Sequence, residues 1–228
     1  LGDTARARGI LRRAIEMKGL EDSDAEAIVR LWGEYDPQPL DAEALRQFAA
    51  KAGLPAREAV ARYFIDRGEP GQAEAALVGA PANADIAAFR ARIALAQRKF
   101  DEALAQANAI LAKDATHCDA LIAKAQVSIA KGRADDAVVA SQTAAANCPQ
   151  LPAAHLTLAH AHQLKRNTAG ASLAFRDGFE NNLQDSGFAR TYAAWLEQTG
   201  QGSRAVAVAR RLTTATPALL SGWQLYRD

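Results

Sequence analysis

Residues 118–151 read CDALIAKAQVSIAKGRADDAVVASQTAAANCPQL, and their pattern predicts the fold. Small and apolar residues recur in it at helical spacing of three or four, at Leu121, Ala125, Ser128, Val138, Ser141 and Ala145. Gly132 can adopt the positive φ that often ends a helix, and Pro149 cannot continue one. The stretch therefore predicts a helical hairpin, with one helix from about Asp119 to Lys131 and a second from about Asp135 to just before Pro149.

The same pattern recurs along the chain with a period of 34 residues. Alanine returns at this step in the first helix of each hairpin, at Ala91, Ala125, Ala159 and Ala193, and in the second, at Ala103, Ala137, Ala171 and Ala205. A fixed period of this size indicates a repeat architecture, and small side chains allow two helices to cross closely. We therefore divide residues 84–219 into four units: 84–117, 118–151, 152–185 and 186–219.

The flanking segments are less regular. Residues 54–83 form a partial unit of 30 residues, with Ala61, Phe64, Gly68 and Ala73 in phase. Residues 1–53 predict helices at about 4–18, 22–34 and 41–52, which are either diverged repeats or an N-terminal cap. Residues 220–228 begin a further repeat or form a capping helix. The chain starts with Leu1 rather than Met and stops within a repeat period, so we expect a segment of a longer array or a capped one.

These units resemble the tetratricopeptide-repeat (TPR) family, and we expect a bacterial member of it. The resemblance rests on small residues and helix breakers at fixed positions, namely Ala125, Gly132, Ala137, Ala144 and Pro149, then Ala159, Ala171 and Phe175, then Tyr192, Ala193, Gly200, Ala205 and Pro217. It implies an all-α fold, a right-handed superhelix (α-solenoid) of helical hairpins. It also implies a scaffold for protein–protein interaction without enzymatic activity.

The resemblance also implies where a partner binds. In this family one flank of each first helix lines the concave groove, and here that flank holds Arg62, Arg92, Leu95, Ile122, Gln126, Ile129, Leu156, His160, Gln163, Arg190 and Glu197. A mixed polar and apolar surface suits an extended peptide or a helix of a partner. The two-carboxylate clamp of chaperone-binding members is absent, because its Lys and Asn positions hold Glu58, Arg62, Ala88 and Arg92. Alternatively, the flank packs on adjacent units.

Composition excludes several classes of function. The 27 Lys and Arg residues nearly balance the 26 Asp and Glu residues, for a net charge of +1. We therefore expect no nucleic-acid partner, since such proteins carry a clustered basic surplus. No apolar run is long enough for a membrane span. Neither a glycine-rich phosphate loop nor a Gly-x-Ser-x-Gly motif occurs, so we expect no catalytic residues, no cofactor and no enzyme.

The histidines do not predict a metal site. His155, His160 and His162 share one predicted helix, but His160 points about 160° away from His162 around the helix axis. These side chains cannot converge on one ion, and no nearby Cys or carboxylate has zinc-site spacing. We expect His155 and His162 to pack between helices, and His117 to lie in a solvated loop.

The two cysteines stand at opposite ends of one predicted hairpin. Cys118 opens its first helix and Cys148 closes its second, and antiparallel helices bring such a start and end together. The pair is either a disulfide or two free thiols in a cytosolic protein. A disulfide predicts an oxidising compartment, such as a bacterial periplasm.

The predicted function is a protein-interaction scaffold in a bacterial cell envelope. High Arg and Ala content with degenerate repeats is similar to TPR proteins of exopolysaccharide export, which favours a periplasmic or envelope location. Two alternatives remain: a cytoplasmic regulatory or chaperone-type adaptor, and a repeat appendage of a larger enzyme such as a transferase.

Overall fold

The computed structural model describes residues 4–17, 22–35, 42–217 and 220–227. These residues form fourteen α-helices and no strand. The chain divides into two compact units, Leu1–Ile110 and Leu111–Asp228. The all-α class is therefore confirmed.

Seven helices begin in the first unit and seven in the second. The first seven are α1 (Thr4–Ala14), α2 (Asp22–Tyr35), α3 (Ala42–Ala52), α4 (Leu54–Asp66), α5 (Pro70–Ala76), α6 (Ala84–Ala96) and α7 (Phe100–Leu111). The second seven are α8 (Cys118–Ala130), α9 (Ala134–Asn147), α10 (Pro152–Leu164), α11 (Thr168–Asn181), α12 (Ser186–Gln198), α13 (Gly202–Ala215) and α14 (Leu220–Arg227).

The helix bounds agree closely with the 34-residue period. Each predicted start of a unit coincides with the first residue of a helix, at positions 54, 84, 118, 152, 186 and 220. In the N-terminal segment, helix α1 ends at Ala14, earlier than the predicted 4–18. The amides of Glu16 and Met17 bond to the carbonyls of Arg13 and Ala14, and such i→i+3 bonds tighten and close a last turn. Residues 18 and 41 of the predicted N-terminal helices lie outside the described residues.

The first helix of each repeat ends in the same local geometry. Positions 98, 132, 166 and 200 all have positive φ, at 61° for Arg98, 72° for Gly132, 57° for Arg166 and 75° for Gly200. The next residue donates its amide to a carbonyl five positions back, as from Arg133 to Ser128, at 2.7–2.8 Å in all four repeats. This is the Schellman helix end. Glycine content predicted only half of these positions, because the other two are occupied by arginine.

The helices of residues 1–53 pack against α4 or against one another. Within the second unit α10 contacts α8, α9 and α11; within the first unit α4 contacts α2, α3 and α5. Helices α2 and α3 both pack against α4, whereas α8 and α9 also pack extensively against each other, and α1 contacts α2. Diverged repeats and an N-terminal cap both remain alternatives for residues 1–53.

The phased alanines form the packing surfaces inside the repeats. Ala91, Ala125 and Ala159 are fully buried, and so are Ala103, Ala137 and Ala171. Because a methyl group occupies little space, the backbones of neighbouring helices can approach closely at these positions. Larger side chains fill the rest of each core, led by Trp32 in the first unit and by Phe175 and Phe188 in the second.

Candidate functional site

A pocket of about 420 Å³ opens in the second unit, among α10, α11 and α12. Eight residues line it: His160, Gln163, Phe175, Arg190, Thr191, Ala194, Trp195 and Gln198. Three of these belong to the flank that the resemblance assigned to the groove, namely His160, Gln163 and Arg190. The structure therefore brings predicted residues of two successive first helices together around one opening.

Two aromatic side chains form the apolar wall of the pocket. Phe175 and Trp195 have ring centroids 5.1 Å apart, and Tyr192 stacks on Phe175 with an interplanar angle of 7°. Both wall residues are larger than the residues at the equivalent positions of the preceding repeat. Phe175 stands one period after Ser141, and Trp195 one period after Ala161. This change of side-chain size is the sequence signal that marks the wall.

The rim of the pocket is polar and carries no carboxylate. Helix α10 contributes His160 and Gln163, and α12 contributes Arg190, Thr191 and Gln198. Thr191 donates its hydroxyl to the carbonyl oxygen of Gly187 at 3.0 Å. The remaining groups can donate hydrogen bonds into the opening, and Arg190 adds a positive charge.

His160 is neutral near pH 7. Desolvation lowers the pKa of its imidazole below the ordinary value of 6.5, although the side chain keeps access to solvent. A neutral imidazole offers one donor and one acceptor nitrogen. The positive charge of the pocket lining therefore comes from Arg190.

The other predicted groove residues of the second unit differ in exposure. Ile122 is only 1% exposed and packs with Leu121, Ala144 and Ala154; its assignment to an open groove surface was wrong, because it is part of the core. Leu156 is half-buried against the aromatic cluster. Gln126 and Ile129 are half-buried, and Glu197 is exposed but does not line the pocket.

In the first unit, two predicted groove arginines pack on one ring. The guanidinium carbons of Arg62 and Arg92 each lie 5.7 Å from the centroid of Phe89. A guanidinium nitrogen of Arg92 lies 4.0 Å from a carboxylate oxygen of Asp66. Leu95 is half-buried. Since Phe89 is buried, the two arginines cover its ring as well as presenting charge.

The histidine side chains occupy separate environments. His155 is 5% exposed, and its Nε2 lies 3.0 Å from the carbonyl oxygen of Pro149. Burial lowers the pKa of His155, and desolvation lowers that of His162, which lies beside Asn167. Among the described residues, no group of three or more His, Cys, Asp or Glu side chains could hold a metal ion.

Cys118 and Cys148 form a disulfide that joins the open ends of the α8–α9 hairpin. Their sulfur atoms are 1.99 Å apart. Cys118 is the first residue of α8, and Cys148 directly follows α9. In the part of the chain that the structure describes, no helix combines the length and apolar character needed to cross a bilayer.

Comparison with solved structures identifies the class of fold. The chain is similar to TTC0263, a thermophilic TPR protein of Thermus thermophilus, with 16% identity and a TM-score of 0.58, over 75% of this chain and 95% of that one. It is also similar to the APC/C hetero-tetramer Cut9-Hcn1, with 14% identity and a TM-score of 0.57, over 99% of this chain and 46% of that one. A third similar structure is the human IFIT1 dimer with PPP-AAAA, with 17% identity and a TM-score of 0.60. The match covers 97% of this chain and 57% of that one.

These likenesses show that the chain has the fold of TPR proteins. At such identities they carry no information on ligand or partner. No family model and no curated protein sequence matches the chain.

Proposed function

We propose that the chain is a protein-interaction scaffold that binds an extended peptide or a helix of a partner protein along its first helices. The pocket lined by His160, Arg190 and Trp195 carries this proposal. It combines an apolar wall with a few polar groups from two helices, the usual composition of a binding site.

The chemistry of the pocket supports binding rather than catalysis. None of its eight lining side chains is a Cys, Ser, Asp, Glu or Lys, the groups that most often act as nucleophiles or acid–base partners of an imidazole. The hydroxyl of Thr191 is already donated to Gly187. His160 therefore serves as a hydrogen-bonding group for a ligand.

A protein partner fits the charge better than a nucleic acid does. The net charge of +1 lacks the basic surplus that phosphate binding requires. The nucleotide in the human IFIT1 structure belongs to that protein, and Arg190 is the only cation among the residues that line the pocket here.

An oxidising compartment is the proposed setting. The Cys118–Cys148 disulfide supports it, because stable disulfides are rare in reducing cytosol. Together with the compositional likeness to export proteins, this favours a bacterial envelope or polysaccharide-export assembly. A cytoplasmic adaptor and a repeat appendage of a larger enzyme are the alternatives.

Selection of random peptides on the folded chain tests the binding function. We expect binders that are lost when the pocket is filled by Ala194→Trp. The matched control is Ala146→Trp, which places the same side chain at an exposed position of α9 and should leave binding intact. Binders that tolerate Ala194→Trp would show that the pocket is not the binding site.

A further inference from the structure

We propose that the pocket among α10, α11 and α12 recognises an acidic side chain, Asp or Glu, next to an apolar side chain in an extended segment of a partner protein. This inference rests on the proposed binding function and names the chemistry of its ligand.

The charge of the lining carries the first step. Arg190 is exposed at the opening, and no lining residue is acidic. Two other arginines of the second unit are paired, Arg176 with Asp177 and Arg211 with Glu180. Within the described residues Arg190 makes no such ion pair. Its guanidinium is therefore available to a carboxylate of a ligand, which it can bind through two parallel hydrogen bonds.

Neutral groups around the arginine complete the polar site. The amides of Gln163 and Gln198 and the imidazole of His160 surround the same opening. These groups can hydrogen-bond the second carboxylate oxygen or the backbone of an extended peptide, without adding a competing negative charge.

The aromatic wall determines the neighbouring side chain of the ligand. Trp195 and Phe175 line the pocket but are only 6% and 1% exposed, so neither offers a broad stacking platform. An aliphatic or aromatic side chain placed against the part that remains open, beside the exposed Ala194, removes apolar surface from water. The ligand thus combines one negative charge with one apolar group.

The number of cations favours an internal acidic residue over a chain terminus. One guanidinium lines the pocket and matches one carboxylate. An acidic residue at a C-terminus would bring two carboxylates, and the second would lie unpaired in a partly desolvated site, at a cost in affinity.

Two random peptide libraries test this proposal, one joined to its carrier at both ends and the other with a free C-terminus. We expect the library that is joined to its carrier at both ends to yield binders with Asp or Glu beside a large apolar residue. Arg190→Gln should weaken their binding about tenfold or more, as for loss of a charge-assisted hydrogen bond. Arg210→Gln removes the same charge from an exposed position of α13 outside the pocket and should leave the affinity unchanged.

A charge exchange adds a readout that a purely structural role would not give. Arg190→Glu should lose the acidic peptide and bind its Glu→Lys counterpart more tightly than the unaltered chain does. The urea midpoint of each variant, measured without peptide, verifies that the fold is unchanged.

Three outcomes overturn the proposal: binders without acidic residues, binders from the free C-terminus library only, or equal binding to Arg190→Gln. If the peptides in any of these outcomes no longer bind the Ala194→Trp variant, the proposed binding function stands and only the acidic specificity fails. If neither library yields a binder that Ala194→Trp blocks, the proposed function fails as well.

Discussion

Cys118 and Cys148 have Cα atoms 6.4 Å apart, although 30 residues separate them in sequence. The distance follows from the hairpin, because antiparallel helices of similar length return the chain to its starting level. The same disulfide therefore links the end of α9 to the start of α8 and closes a loop around the whole hairpin.

Removal of this disulfide should destabilise the chain. For a loop of this length, the chain-entropy model gives about 3–4 kcal/mol of stabilisation. Urea unfolding of the Cys118→Ser/Cys148→Ser double variant should show a loss of this order, and reductant should shift the unaltered chain in the same direction. Under denaturing, non-reducing conditions no reactive thiol should be titrated; recovery of both thiols would contradict the bond.

Gly178→Ala should destabilise the second unit. A Cβ at Gly178 would lie 2.5 Å from Cβ of His155 and closer still to the ring of Phe188, so neighbouring helices would have to separate. Overpacking of this kind costs about 1–3 kcal/mol, more than the gain in helix propensity of up to about 1 kcal/mol. Gly202→Ala is the control, since nothing lies within 4 Å of its added Cβ. Equal unfolding midpoints for the two variants would refute this packing.

Arg98→Gly and Arg166→Gly should each stabilise the chain. Both arginines have positive φ at a helix end, which costs a residue with a Cβ about 1–2 kcal/mol. Glycine removes this strain but loses more entropy on folding, so we expect a net gain of about 0.5–1 kcal/mol each. Gly132→Arg makes the reverse change in an equivalent position and should lower stability. Chemical denaturation of the three variants provides the comparison.

Stability should fall as pH drops below about 6.5. Burial lowers the pKa of His155 from its ordinary value of 6.5, so the unfolded chain binds a proton that the folded chain does not. The resulting stabilisation is complete above pH 6.5. It is lost as the pH falls through the pKa of His155 in the folded chain, which is lower than 6.5. His160 and His162 act in the same direction. The hydrogen bond from Arg211 lowers the pKa of Glu180 below its ordinary value of 4.5. Glu180 therefore affects the pH dependence of stability only below about pH 4.5.

The His155→Leu variant isolates the contribution of His155 to this pH dependence. Leucine stands one period earlier, at Leu121, and Asn182 Nδ2 still reaches the Pro149 carbonyl at 3.3 Å. Urea midpoints measured across the range from about 6.5 to about 4.5 should therefore depend less on pH in the variant. An unchanged slope would assign the effect to other groups.

Local signals predicted the hairpins well. Gly132 and Pro149 marked helix ends, and the phased alanines marked the helix crossings, because these effects depend on few neighbouring residues. The groove was predicted less well. Ile122 has the same helical phase as Leu156, yet it is buried in the core, because the side chains packed around it, and not its own position on the helix, determine its exposure.

The helical repeat, its 34-residue period and the close approach of the two cysteines follow from the sequence, since periodicity and helix-ending residues act along one chain segment. Which flank residues meet depends instead on the packing of helices from different repeats. Phe175 and Trp195 come from different helices, and their bulk lies where other repeats have small side chains. The pocket beside them and the available charge of Arg190 depend on this packing of three helices, which no single segment encodes.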